Sequence, residues 1–223
     1  MISVAIDGPS GAGKSSIARR VAARLGYTYV DTGALYRAIG LFAHRHGIDD
    51  TDEAALAPRL GEIKVELFYR DGKQHVVLNG EDVSEDIRKP EMSMAASNVS
   101  ALPAVRAFLL DLQRQMARNY NVIMDGRDIG TVVLPHADVK IFLTASAEDR
   151  AMRRYKEFLG RGENISYEEV LEEINRRDYN DSHREIAPLR PAEDAILLDT
   201  TGNTLEQSLD LVERTIRERL QSK

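Results

Sequence analysis

The segment Gly8-Pro9-Ser10-Gly11-Ala12-Gly13-Lys14-Ser15 follows an apolar run from Ile2 to Ile6 and decides the fold. Its spacing is G-x-x-x-x-G-K-S. Glycines let successive backbone N–H groups turn inward around a phosphate, and a helix opening at Lys14 presents its positive end to the same charge. The segment therefore reads as a phosphate-binding loop in which Gly8 to Gly13, with Lys14, Ser15 and Ser16, wrap a nucleoside triphosphate. Lys14 is expected to reach the β and γ phosphates, and Ser15 to ligate Mg2+. The flanks agree: a buried strand precedes the loop, and Ile17, Ala18, Val21, Ala22 and Leu25 follow at helical spacing until Gly26.

The 223 residues, 43% hydrophobic and 30% charged, suffice for one substantial core with a small appendage. A formal net charge of -6 argues against a general nucleic-acid binder, which needs a basic face. Cysteine is absent, so disulfides, thiolate metal sites and a Cys nucleophile are excluded. No basic segment leads into a long apolar stretch, because Asp7 interrupts a five-residue run, and no eighteen apolar residues stand together. The expectation is a soluble cytoplasmic protein without a membrane partner.

Outward from the loop, Tyr27 to Val30 reads as a strand closed by Asp31, Thr32 and Gly33, followed by a helix with Leu35, Ile39 and Phe42 on one side. Asp49 to Leu60 reads as a short capped helix. Lys64–Tyr69 and Gln74–Leu78 have strand composition, and Asp71-Gly72 and Asn79-Gly80 are tight-turn dipeptides. A compact three-stranded antiparallel sheet over about 62–84 is expected as an insert. Pro103 starts a long helix with Val105, Leu109, Leu112 and Met116 as its stripe. Val122–Met124 and Val139–Leu143 are buried parallel strands. Ser166 with Glu169 and Thr204 with Gln207 fit capping boxes, the second opening a helix with Leu205, Leu209, Val212, Ile216 and Leu220 inward. Alternating strands and helices predict an α/β fold, a parallel sheet flanked by helices, as one domain over 1–223.

A phosphate loop alone does not separate switches, motors and small-molecule kinases. No Asn-Lys pair exists to read guanine, and Asp125 at a strand end is followed by Gly126 rather than a second acid. The arginines point elsewhere. Arg177, Asp181 and Arg184 recur at steps of three or four, and Arg127 and Asp128 lie just past a parallel strand, where open α/β sheets bind ligands. The charged stretch over about 150–170, with Arg150, Arg153, Arg154 and Arg161 and glycines at 160 and 162, reads as a helical lid that excludes water from the transferred phosphoryl group. A surface helical hairpin fits the same composition.

Five ordered motifs, AIDGPSGAGKSS from Ala5, YVDTGALYRA from Tyr29, SNVSALPAVR from Ser97, MDGRDIGTVV from Met124 and RRDYNDSHREIAPL from Arg176, together resemble the bacterial-type cytidylate kinases. These are phosphate-loop nucleoside monophosphate kinases, and the inserted sheet resembles theirs. The resemblance implies that ATP donates to CMP or dCMP. It implies that Ser97, Arg106 and Asp128 hold the base, that Arg177 and Asp181 contact the sugar, and that Arg37, Arg127 and Arg184 clamp the monophosphate beside Thr32 and Tyr36. It further implies catalytic arginines in the lid at Arg153, Arg154 and Arg161, an outer-shell magnesium role for Asp125, and a monomer. A kinase for another small acceptor, or a regulatory module that binds ATP without transfer, are the alternatives.

Overall fold

Val4, Ala5 and Ile6 are shut off from solvent on both faces, as a central strand of a parallel sheet must be. They belong to β1 (Ser3–Asp7) of a computed structural model that describes residues 1–70 and 73–222. From β1 the chain enters α1 (Lys14–Leu25), β2 (Thr28–Asp31), α2 (Thr32–Arg45) and the single turn α3 (Glu53–Leu56). A small sheet follows, made of β3 (Val65–Arg70), β4 (Lys73–Leu78) and β5 (Glu81–Asp82). Helices α4 (Glu91–Val99) and α5 (Pro103–Asn119) lead to β6 (Val122–Gly126) and β7 (Val139–Thr144). The pair α6 (Ala147–Gly160) and α7 (Tyr167–His183) then precedes β8 (Ile196–Asp199) and α8 (Leu205–Gln221).

The main sheet has the order β2-β6-β1-β7-β8, with every neighbour parallel. From β1 the chain passes to the edge strand β2 and only later fills the gap with β6. The loops leaving β1 and β6 therefore open side by side at the carboxyl edge, the crevice where such sheets take ligands. The pleat sorts the side chains. Val4, Ile6, Ile123, Ile141 and Leu143 face α1 and α8, while Ala5, Val122 and Met124 face the side covered by α5. Gly8 leaves β1 against β7: a Cβ built there would lie 1.9 Å from the Leu143 carbonyl oxygen, so the loop has room only for glycine.

The expected insert is present as the separate antiparallel sheet β3-β4-β5, and Asn79 and Gly80 both take positive φ (51° and 87°) as a tight hairpin requires. The other turn dipeptide, Asp71-Gly72, lies outside the described residues. The insert is separate in hydrogen bonding but not in its core. Val65, Val76, Leu78 and Val83 bury themselves in one cluster with Phe42 of α2 and Met92 of α4. By contrast, α6 and α7 carry a small core of their own, built on Ala151, Phe158, Val170 and Ile174.

Three expectations change. The helix expected over Asp49–Leu60 is α-helical only in α3, capped by Asp52, and continues as a 3₁₀ stretch over Ala57–Glu62, where Pro58 and Gly61 interrupt α-helical bonding. Helix α2 starts at Thr32, because the Asp31 side chain caps it by accepting from the Ala34 N–H. Leu205 is 41% exposed, since it opens α8 at the rim of a cavity beside the Lys14 loop before the stripe turns inward. Both capping boxes form as read. Among the described residues, no helix is long and apolar enough to cross a membrane.

Candidate active site

The phosphate-loop side of the site begins with Lys14, which is buried at the first turn of α1 and donates from Nζ to the Pro9 carbonyl at 2.7 Å. Burial, with Arg127 nearby, lowers its pKa well below the ordinary lysine range. The Ser15 Oγ donates to Asp125 Oδ2 at 2.8 Å, and Asp125 Oδ1 is buried without a hydrogen-bond partner. Burial and the neighbouring Asp31 push the Asp125 carboxyl up to about 6. Gly11, Gly13, Lys14, Ser15 and Ser16 line a cavity of about 430 Å³ together with Arg153, Arg154 and Leu205. Arg153 lies at its edge and donates to the Thr200 carbonyl at 2.6 Å.

A second pocket opens beside it, bounded by Thr32 and Tyr36 of α2, Ser97 and Ser100 around the end of α4, Arg106 of α5, Arg127 and Asp128 after β6, and Arg177, Asp181 and Arg184 in and after α7. Every residue expected here except Arg37 lines it. Arg184 is not on the α7 face with Arg177 and Asp181, because the helix ends at His183 and Arg184 is extended. It still reaches the pocket, donating from Nε to the Ala187 carbonyl at 2.7 Å and from Nη1 to Ser100 Oγ at 2.8 Å.

Two buried carboxylates organise this pocket. Asp128 accepts from Arg106 Nη2 on Oδ2 and faces Arg184 Nη2 at 3.5 Å on Oδ1. Burial raises its pKa against the pull of both guanidiniums. Asp181 accepts from Ser97 Oγ at 2.9 Å and from Arg127 Nε at 2.7 Å. Burial pushes its pKa up, but Arg127 and Arg177 outweigh that and hold it at about 2. Tyr36 lies under the Arg106 guanidinium, 5.9 Å from its ring centroid, and the Thr32 hydroxyl donates to the Asp125 carbonyl at 2.8 Å.

At the Lys14 cavity the positive charge has donors to spare. Arg37, Arg154 and Arg177 all line it, Arg177 lines the second pocket as well, and the Nε of each is buried without a hydrogen bond, that of Arg177 facing Asp181 Oδ2 at 3.9 Å. Arg37 is held by Asp31 at 2.8 Å, and Arg177 donates to Ser93 Oγ at 2.7 Å. Burial, helped by Arg127, lowers the Arg177 pKa to about 9. Unsatisfied guanidinium edges at this position suit the oxygens of phosphate groups. Arg161 is exposed and lines a neighbouring cavity of about 400 Å³ with Arg154, Phe158 and the insert residues Gln74 and Ser84.

Arg150 departs from the lid reading. It is 5% exposed, and it donates from Nε to the Ala145 carbonyl and from Nη1 to the Ser10 carbonyl, so it is a buried strut of the phosphate loop. Asp7, Asp31, Ser93 and Asp178 were not legible as site residues. Asp7 accepts from the Ile129 and Gly130 N–H groups at 2.8 and 2.7 Å and so holds the turn that follows Asp128. Its only sequence signal is an acid closing an apolar strand.

A phosphate-type loop beside a basic pocket at the carboxyl edge of a parallel sheet defines the class: a phosphate-loop protein with two adjoining pockets rich in arginine. Comparison with known proteins supplies the family. The cytidylate kinase family model matches residues 4–218. A cytidylate kinase of Geobacter sp. (strain M21) is 51% identical over 218 residues, covering 97% of this chain and 93% of that protein. One from Caldicellulosiruptor bescii is 50% identical over 211 residues, covering 95% and 93%. A crystal structure of an uncharacterized protein from Eubacterium ventriosum shares the fold, with a TM-score of 0.51 at 10% identity over 97% of this chain and 99% of that one. The chain belongs to the cytidylate kinase family.

Proposed function

We infer that this enzyme is an ATP-dependent nucleoside monophosphate kinase that transfers the γ-phosphate of ATP to CMP or dCMP, giving CDP or dCDP and ADP. The observation that carries the reading is the set of buried Nε groups of Arg37, Arg154 and Arg177, none of them hydrogen-bonded, that line the Lys14 cavity, with Arg177 also lining the Asp128 pocket. In this reading the loop from Gly8 to Ser16 holds ATP. Ser97, Arg106 and Asp128 receive the base, where a carboxylate accepts from the cytosine N4 amino group and repels the uracil oxygen. Asp181 and Arg177 take the sugar hydroxyls, and Arg37, Arg127 and Arg184 take the monophosphate with Thr32 and Tyr36 alongside.

An oxygen of the acceptor phosphate attacks the γ-phosphorus in line and ADP leaves. That nucleophile is already anionic, so no general base is required. Lys14, Arg153, Arg154, Arg127 and Arg184 supply positive charge and hold the two phosphates in register. Arg161 joins them when the α6–α7 hairpin, the lid of this reading, closes.

The residues fit Mg2+. Asp125 Oδ1 is buried and unpartnered beside the Ser15 hydroxyl, while among the described residues no group of three or more His, Cys, Asp or Glu could hold a metal on its own. Ser15 would ligate the ion, Asp125 would hold its water, and phosphate oxygens would complete the shell. When bound, the ion neutralises charge on the β and γ oxygens. The chain acts as one kinase domain, a cytoplasmic monomer without nucleic-acid partners; the -6 net charge supports the last point. Incubation with ATP, Mg2+ and CMP, followed by chromatographic separation, tests the reaction. Equal amounts of CDP and ADP are expected, and ADP without CDP would contradict it and favour a hydrolytic or regulatory module.

A further inference from the structure

Ser10 sits in the middle of the phosphate loop, yet all three of its polar atoms are held by the α6–α7 hairpin rather than by the loop. Its N–H donates to Asp178 Oδ1 at 3.3 Å, its carbonyl accepts from Arg150 Nη1 at 2.8 Å, and its hydroxyl accepts from Arg177 Nη1 at 3.2 Å. Arg150 and Asp178 are themselves paired at 2.7 Å, so the two side chains close a ring around the Ser10 peptide. Arg150 is fixed from behind by the Ala145 carbonyl at 2.9 Å, at the end of β7. The loop lies directly on the hairpin. A Cβ added at Gly11 would meet Arg150 Cβ at 3.1 Å and Ile174 Cδ1 at 3.3 Å.

The position of Asp178 gives this ring a consequence. It follows Arg177 directly and precedes Asp181 by three residues, so one stretch of α7 faces the acceptor pocket through Arg177 and Asp181 and the donor loop through Asp178. A loop that binds phosphate through its backbone N–H groups depends on how its peptides are turned. Movement of α7 toward an acceptor is therefore delivered to the Ser10 peptide.

We propose that Arg150 and Asp178 are positioning residues that couple the two substrate sites, so that an acceptor on α7 tightens the phosphate loop on ATP through Ser10. This rests on the reading that CMP occupies the pocket of Asp128 and Asp181. Neither residue touches a substrate. A merely structural ion pair would cost stability and weaken each nucleotide whether or not the other is bound, whereas loss of a coupling device weakens each only when the other is present.

The test compares Asp178→Asn, Arg150→Lys, Arg150→Ala and the Asp178→Asn/Arg150→Lys combination with the wild type in full-length enzyme. The expected result for Asp178→Asn is an affinity for ATP lowered roughly tenfold at saturating CMP but changed less than about twofold without CMP, with a matching loss for CMP when ATP is present, an ordinary size for a coupling between sites. The combined variant is expected to be no worse than the more impaired single, because both break the same ring. Arg150→Lys, which keeps the charge, should retain more ATP affinity than Arg150→Ala. If Arg150→Ala fails to fold, Asp178→Asn carries the test alone. A loss of ATP affinity that is the same with and without CMP, or additive losses that follow the thermal midpoint, would overturn the proposal. Calorimetric titration of a non-hydrolysable ATP analogue with Mg2+, with and without CMP, reads the coupling apart from turnover. A wild type that ignores CMP overturns the acceptor assignment; a wild-type coupling that survives in Asp178→Asn overturns the role of the ring alone.

Discussion

Arg106 and Asp128 form a buried ion pair on one oxygen of the carboxylate, leaving the other oxygen 3.5 Å from Arg184 with acceptor capacity to spare. A carboxylate has about four lone-pair sites, and the pairing holds the group in place without filling them. Asp128 is thus a fixed acceptor in the pocket proposed to take the base.

Replacing Asp128 by Asn puts an amide donor at the position proposed to receive the cytosine amino group. We expect kcat/KM for CMP to fall roughly 5- to 150-fold, the worth of one good base contact, and the ratio of UMP to CMP turnover to rise. The KM for ATP should stay near its wild-type value. Steady-state kinetics varying each nucleotide checks this, and equal losses for CMP and ATP would remove Asp128 from base recognition.

Among the described residues Lys14 is the one lysine lining the phosphate-loop cavity, and its ammonium is aimed along the loop at the Pro9 carbonyl. Lys14→Ala should lower kcat by about 10²–10³ or more, as loss of a charge placed for the transition state does. The far-ultraviolet circular dichroism of the variant should match the wild type. Near-normal turnover would undo the donor assignment.

Gly126 ends β6 directly before Arg127, and a Cβ there would fall 2.7 Å from Ile129 Cδ1 and 2.8 Å from Thr32 Oγ1. Gly126→Ala is expected to cost about 1–3 kcal/mol by overpacking. Gly61, where an added Cβ meets nothing within 4 Å, serves as the control and should tolerate Ala. Thermal unfolding of the two variants decides. Equal midpoints would show that the turn yields freely.

Asp7 makes a prediction about pH. Burial outweighs its two N–H donors and pushes its carboxyl from 3.8 up to about 7. A folded-state pKa above the unfolded one means that the native state binds the extra proton across that window, so this group's contribution to stability falls as pH rises through it. The stability of the wild type relative to Asp7→Asn should therefore decline between about pH 5 and pH 8, by an amount on the order of kcal/mol. Denaturant unfolding at several pH values measures it. A relative stability that climbs with pH would show that the two N–H bonds dominate instead.

What the sequence made legible was local. The loop, its flanking strand and helix, the hairpin at Asn79-Gly80 and both capping boxes each declare themselves within a few residues, because glycine conformations, side-chain caps and periodicity are short-range physics. The meeting of Asp128, Asp181 and the arginines came from family resemblance, since nothing in the spacing of residues 106, 128 and 184 says that they converge. Buried charges were the hardest to read. Arg150 in a charged helix looks solvated, and only the placement of α6 on the loop turns it into a strut. Asp7 looked like an interruption of an apolar strand, whereas it accepts from the backbone of Ile129 and Gly130, more than a hundred residues away in sequence.

The most direct measurement of the central claim is an ADP-release assay with CMP, dCMP, UMP and AMP offered in turn as acceptors. Turnover of CMP and dCMP well above that of UMP and AMP is the predicted result. Robust turnover of AMP or UMP with none of CMP would contradict it.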